Sequence, residues 1–234
     1  MKKSFLSLAI FLCSLKSGFS DTCHPPIDGS KQNFIIGYGS LVNDKSRQRT
    51  NPEAVNAYPI EVKNFKRIWG LRATGSFKGT FLLAVPSTGS TLNAVYYLTN
   101  EKAVEATDKR ESDYCRYKVP STDVEALGLK NLQQGDYWIY ARDAKAIQKP
   151  NEEFPIIQSY VDIFIKGCME IQNRYLVANY VQQCINTTSL WDNNTWVNDR
   201  VNPRRPTDST PDAIAIDNAL VRHLGIDYYT HKYE

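Results

Sequence analysis

The chain has 234 residues, 42% of them hydrophobic and 23% charged, and a formal net charge of +3. Lys2, Lys3 and Lys16 supply three of its 28 basic residues while residues 1–20 hold no acid, so the remaining basic residues only match the 25 acidic ones. Without a basic excess, nucleic acid and anionic membrane surfaces are not the expected partners, and Arg204-Arg205 reads as a solvated loop.

Lys2 and Lys3 precede an apolar run from Phe5 to Leu15, and Gly18 and Ser20 are small residues in the −3 and −1 places. This is the pattern of a signal peptide cleaved after Ser20, and the run is well short of the roughly 20 residues a membrane-spanning helix needs. A secreted or periplasmic location is expected, with no membrane partner after cleavage and residues 21–32 as an N-terminal segment. Cys23, Cys115, Cys168 and Cys184 then remain. An even number of cysteines in an exported chain predicts at least one disulfide, most plausibly involving Cys168 or Cys184, with the pairing open. Both of those lie in an apolar helical pattern, so two buried free thiols are the alternative.

From Asn33 to about Arg142 short apolar or alternating runs predict strands at Phe34–Ile36, Ile60–Val62, Phe65–Trp69, Phe81–Val85 and Leu92–Leu98, separated by Gly, Pro, Ser and Asn. One helix interrupts them, capped by Asn100, with Glu101 in its first turn and an end near Lys109. Strands resume at Tyr114–Val119 and Tyr137–Tyr140. The expected fold class is α+β: a small closed or nearly closed mixed sheet with a packed helix over residues 33–142. After Pro155, apolar residues recur every three or four positions, from Ile157 and Val161 to Phe164, Cys168 and Ile171, and predict one or two helices. With a short helical signal at Ala213–His223, residues 143–234 read as a helical extension packed on the first unit.

The chemistry available is narrow. The histidines, His24, His223 and His231, are close to a terminus, and no Gly-x-Ser-x-Gly turn occurs, which disfavours histidine-dependent hydrolases. No Cys-x-x-Cys or His-x-x-x-His spacing suggests a metal, and no cofactor is expected. Val42 stands where a dinucleotide loop needs its third glycine. What remains is the glycine loop Gly37-Tyr38-Gly39-Ser40-Leu41 and the segment Asp108-Lys109-Arg110-Glu111-Ser112-Asp113-Tyr114-Cys115-Arg116. Glycines let backbone amides approach a ligand, and adjacent amides can bind a carboxylate or oxyanion. Taken alone, the loop also reads as a tight turn and Glu111 as a surface carboxylate.

Together the two elements resemble the γ-glutamylcyclotransferase family: Gly37 to Leu41 is similar to its Tyr-Gly-Ser loop, and Asp108-x-Arg110-Glu111-x-x-Tyr114-x-Arg116-x-x-Val119 to its catalytic-glutamate segment. Between them, Phe65 to Trp69 resembles a family stretch, and Thr80–Val85 with Leu92–Leu98 its central strand pair. The resemblance covers residues 33–142. Thr107 and Ser112 depart from the Leu and Gly frequent there, and a leader is atypical. The resemblance implies a small-molecule γ-glutamyl substrate, Glu111 as proton carrier, and Gly37, Tyr38, Gly39, Ser40 and Leu41 as substrate-binding residues. Tyr114 and Arg116 are further candidates, and Asp113 has no assigned role. The alternative is a secreted binding protein that keeps the fold, distinguished by whether Glu111 points into a cavity faced by Gly37 to Leu41.

Overall fold

The computed structural model describes residues 23–128, 131–205, 212–225 and 232–233, so the expected leader and its cleavage position lie outside the described residues. In chain order the elements are β1 (Asn33–Gly37), a 3-10 turn (Ser40–Val42), α1 (Asp44–Gln48), β2 (Tyr58–Ala73), β3 (Gly79–Thr99), α2 (Glu101–Arg110), β4 (Cys115–Val119), β5 (Val124–Ala126) and β6 (Asp136–Ala141). They continue with β7 (Ile156–Ile157), α3 (Gln158–Tyr175), α4 (Tyr180–Asn186), β8 (Thr188–Ser189), β9 (Trp196–Asn198), α5 (Ala213–Leu224) and β10 (Lys232–Tyr233).

The fold is α+β, a large mixed sheet with packed helices. β1 lies between β3, to which it is antiparallel, and β6, to which it is parallel. Buried Phe34, Ile35 and Ile36 need cover on both faces, which a central strand provides. β2 and β3 form one long antiparallel hairpin where four short strands were expected from sequence. The apparent break in β2 is Asn64, at φ 63°, which accepts a hydrogen bond from the Gly89 amide (3.2 Å) where the register shifts after Lys63. A local irregularity bends the ladder without ending it.

The expected closure of the sheet is not met. Its strands run β10-β9-β7-β3-β1-β6-β4, with β2 pairing β3, β5 and β8, and the two ends do not pair. At β4 the side away from β6 is occupied by the N-terminal segment: the Arg116 amide donates to Cys23 O (2.8 Å), and Cys23 and Cys115 form a disulfide. The second disulfide joins Cys168 in α3 to Cys184 in α4, so all four cysteines are paired and the free-thiol alternative falls.

The segment after residue 143 is not helical alone. β7, β8 and β9 add to the same sheet, and α3 sets Val161, Phe164, Ile165, Cys168 and Ile171 in the core. Burying each such aliphatic or aromatic side chain contributes roughly 1.5–3 kcal/mol. Among the described residues no helix is long and apolar enough to cross a membrane.

Candidate active site

The chain leaves β1 at Gly37 and turns at once into the 3-10 turn, and contacts from three side chains fix that turn. Arg67, fully buried on β2, donates to Tyr38 O (3.0 Å). Arg47, fully buried on α1, donates to Leu41 O and Val42 O (both 3.1 Å). On the far side Glu170 of α3 accepts from Asn43 Nδ2 (3.0 Å) and the Asp44 amide (3.1 Å). With these carbonyls bound, the peptide planes are set, while the first amides of any helical turn have no acceptor inside the turn.

Both loop glycines have negative φ; what they supply is space. A Cβ on Gly37 would stand 2.8 Å from Leu41 Cβ, and one on Gly39 would stand 2.9 Å from the Tyr160 hydroxyl. Gly37 is therefore a packing position, and it does not line the cavity described below.

α2 begins at Asn100, whose side chain accepts from the Ala103 amide (2.9 Å), and ends at Glu111, whose amide still donates to Thr107 O (2.8 Å). Glu111 thus sits where the helix stops, with its side chain 17% exposed and Oε1 3.0 Å from Arg110 Nε. Arg110 also donates to Ser46 O (2.7 Å), Thr50 Oγ1 (2.8 Å), Ser40 Oγ and Ser46 Oγ (both 3.1 Å), tying the helix end to the glycine loop. Burial pushes the Glu111 carboxyl above its ordinary value, against the opposing charges of Arg110 and Arg205, and Asp113 adds to the rise.

An inner niche of about 30 Å³ is lined by Tyr38, Gly39, Ser40 and Leu41 together with Glu111, Tyr114 and Tyr160. It adjoins a cleft of about 290 Å³ that shares Ser40, Glu111, Tyr114 and Tyr160 and adds Phe77, Phe81, Asp113 and Arg205. The glycine loop and Glu111, some seventy positions apart, therefore face one cavity.

Other candidates sit differently. Tyr38 is a wall: its hydroxyl is committed to Tyr140 O (2.7 Å) and burial raises its pKa far above the ordinary tyrosine value. Tyr114 is likewise a wall, donating to Leu82 O (2.9 Å). Arg116 is not at the cavity. It holds Asp108 (Nε to Oδ1 3.1 Å) and Pro25 O (2.6 Å) and lies over the Trp138 ring. Arg205 is no solvated loop residue but a wall of the cleft. The sequence pattern gives Tyr160 no role and places Arg110 only within the segment around Glu111. Tyr160 reads in sequence only as one aromatic among the apolar positions of α3. Among the described residues no cluster of three or more His, Cys, Asp or Glu could hold a metal ion.

No protein-family model matches the chain, and no curated protein matches it. Solved structures do. A γ-glutamyl cyclotransferase matches over 80% of this chain and 99% of its own length, at 16% identity and a TM-score of 0.50. An uncharacterised protein from Homo sapiens matches over 80% and 98%, at 16% identity and a TM-score of 0.49. A glutathione-specific γ-glutamyl cyclotransferase from yeast matches over 86% and 100%, at 14% identity and a TM-score of 0.38. The likeness to the first is one of fold.

Proposed function

We propose, starting from the γ-glutamylcyclotransferase-like fold of this chain, that it is an enzyme releasing 5-oxoproline from a γ-glutamyl compound, with Glu111 as the proton carrier. The observation that carries this reading is the joint facing of Glu111 and the Tyr38–Leu41 loop onto one niche. In the reaction the α-amine of the substrate attacks its own γ-carbonyl, and the new C–N bond closes a five-membered ring. One N–H proton passes to Glu111; the old amide C–N bond then breaks as Glu111 returns that proton to the departing nitrogen. No water, metal or redox partner enters the balance. The attack is intramolecular, and holding the bent conformer captures much of that advantage.

A carboxyl that serves as base and then as acid works best with a pKa moved toward neutrality, and burial moves Glu111 in that direction. Amides at the start of the 3-10 turn are suited to an oxyanion or a carboxylate, and the missing side chain of Gly39 lets the Tyr160 hydroxyl stand beside them. Tyr38, Tyr114 and Tyr160 supply walls that exclude water. We propose further that the protein acts after export, a reading supported by the leader pattern of residues 1–20 and by two disulfides.

The test is a screen of γ-glutamyl amino acids, glutathione and γ-glutamylamines for release of 5-oxoproline. Release from one class and not the others would define the substrate. No release from any of them would sink the cyclisation reading and leave a secreted binding protein.

A further inference from the structure

The outer cleft contains a cation that no carboxylate contacts directly, Glu111 acting on it only through space. Arg205 lines it, its Nε is buried without a hydrogen-bond partner, and its guanidinium lies 5.8 Å from the centre of the Phe81 ring. Among the described residues no carboxylate pairs with it. Leaving a buried guanidinium nitrogen unpaired is costly, and a planar fork over an aromatic face is suited to a carboxylate held by two hydrogen bonds. The other arginine of the cleft is different, because Arg110 is spent on Glu111, Ser40, Ser46 and Thr50.

Arg205 is also held in place. Its amide donates to Ser159 Oγ (3.1 Å), Ser159 Oγ donates to buried Asp199 Oδ2 (2.6 Å), and the same oxygen accepts from the Arg204 amide (2.8 Å). A residue anchored through its own amide and that of Arg204, with no ion pair made by its side chain in the cleft, is arranged for a ligand.

We infer that Arg205 is a specificity-determining residue that binds a carboxylate on the departing amine of the substrate. The inference rests on the cyclisation reading for the identity of that substrate. The niche beside Tyr38 to Leu41 is on the inner side of Glu111, so a γ-glutamyl group seated toward it sends its departing nitrogen outward into the cleft that Arg205 lines. The preferred class is then an amide to an amino acid with a free carboxylate, over an amide to a neutral amine.

The test compares γ-glutamyl-alanine with γ-glutamyl-alaninamide, which differ only in that charge. Wild type should favour the acid by about 10- to 100-fold in kcat/KM, mainly through KM. Arg205→Gln should collapse that ratio toward one, and Arg205→Lys should restore part of it, with Tm confirming that each variant folds. An Arg205→Gln variant that keeps the ratio, or loses both substrates equally, overturns the assignment; equal loss would place Arg205 on the glutamyl α-carboxylate or in the fold. If wild type turns over neither compound, calorimetry on the same pair still decides. Tighter binding of the acid that depends on Arg205 upholds the assignment while the cyclisation reading falls, and equal binding of the two compounds overturns it.

Discussion

Arg110 and Glu111 are consecutive residues whose side chains turn to face each other, Nε to Oε1 at 3.0 Å, at the end of α2. The contact couples the proton carrier to the loop, since the same guanidinium binds Ser40 and Ser46. Arg110 lowers the pKa of Glu111 and Asp113 raises it. A base must be ionised, so activity is lost as pH falls through that pKa. Arg110→Met should therefore move the acidic limb of the kcat/KM profile to higher pH, and Asp113→Asn should move it to lower pH. Shifts in the same direction would break this electrostatic account. Arg110→Met should also lower kcat about 10- to 100-fold through misplacement of the loop.

Glu111→Gln should cut turnover about 10²- to 10⁴-fold, because the amide keeps the shape and cannot exchange a proton. Its effect on stability has a definite sign. Folding raises the Glu111 pKa, so the native state holds that proton more tightly, and ionisation costs stability as pH rises above the unfolded value. The variant should match or exceed the wild-type Tm at pH 7, with circular dichroism unchanged. Activity within a few-fold of wild type would move the role to another residue.

The two loop glycines should separate fold from binding. In Gly37→Ala the new methyl meets Leu41 Cβ and backbone, so overpacking should cost about 1–3 kcal/mol in denaturant unfolding. In Gly39→Ala it meets the Tyr160 hydroxyl, and the expected change is a raised KM with a smaller loss of stability. Tyr160→Phe removes that oxygen, so the double variant should recover part of the lost affinity. Equal defects with and without the hydroxyl would show that the clash is not the cause.

Intact mass before and after reduction should show all four cysteines of the mature chain paired. Replacing Cys168 and Cys184 together by Ala removes a link with a sequence separation of 16 and should destabilise the protein by about 3 kcal/mol on the loop-entropy model. Four free thiols in exported material would contradict the pairing.

What sequence could show was local. Asn100 and Glu101 announce the start of α2 because capping depends on neighbours within one turn, whereas Glu111 is singled out by the family resemblance, since locally it reads as a surface carboxylate. The β2–β3 hairpin reads as four pieces because a positive-φ Asn64 and the Ser87–Ser90 stretch mimic strand ends. Arg67 sits in an alternating strand pattern, and nothing nearby signals that it is fully buried with its guanidinium on Tyr38 O, Asn93, Cys184 O, Thr187 and Thr188. Tyr160 and Arg205 reach the cavity from α3 and from beyond β9, separations over which composition and periodicity carry no information. Arg116 shows the opposite case: it stands in the segment that suggests it, yet its guanidinium is taken up by Asp108 and Pro25 O.

The Cys23–Cys115 bridge also bears on how molecules of this protein meet one another. It pins a stretch of chain along β4, whose backbone would otherwise offer donors and acceptors to any passing strand. In an oxidising medium that edge is denied to a second copy. Reduction would uncover it, so thiol reagents should promote self-association before they unfold the molecule.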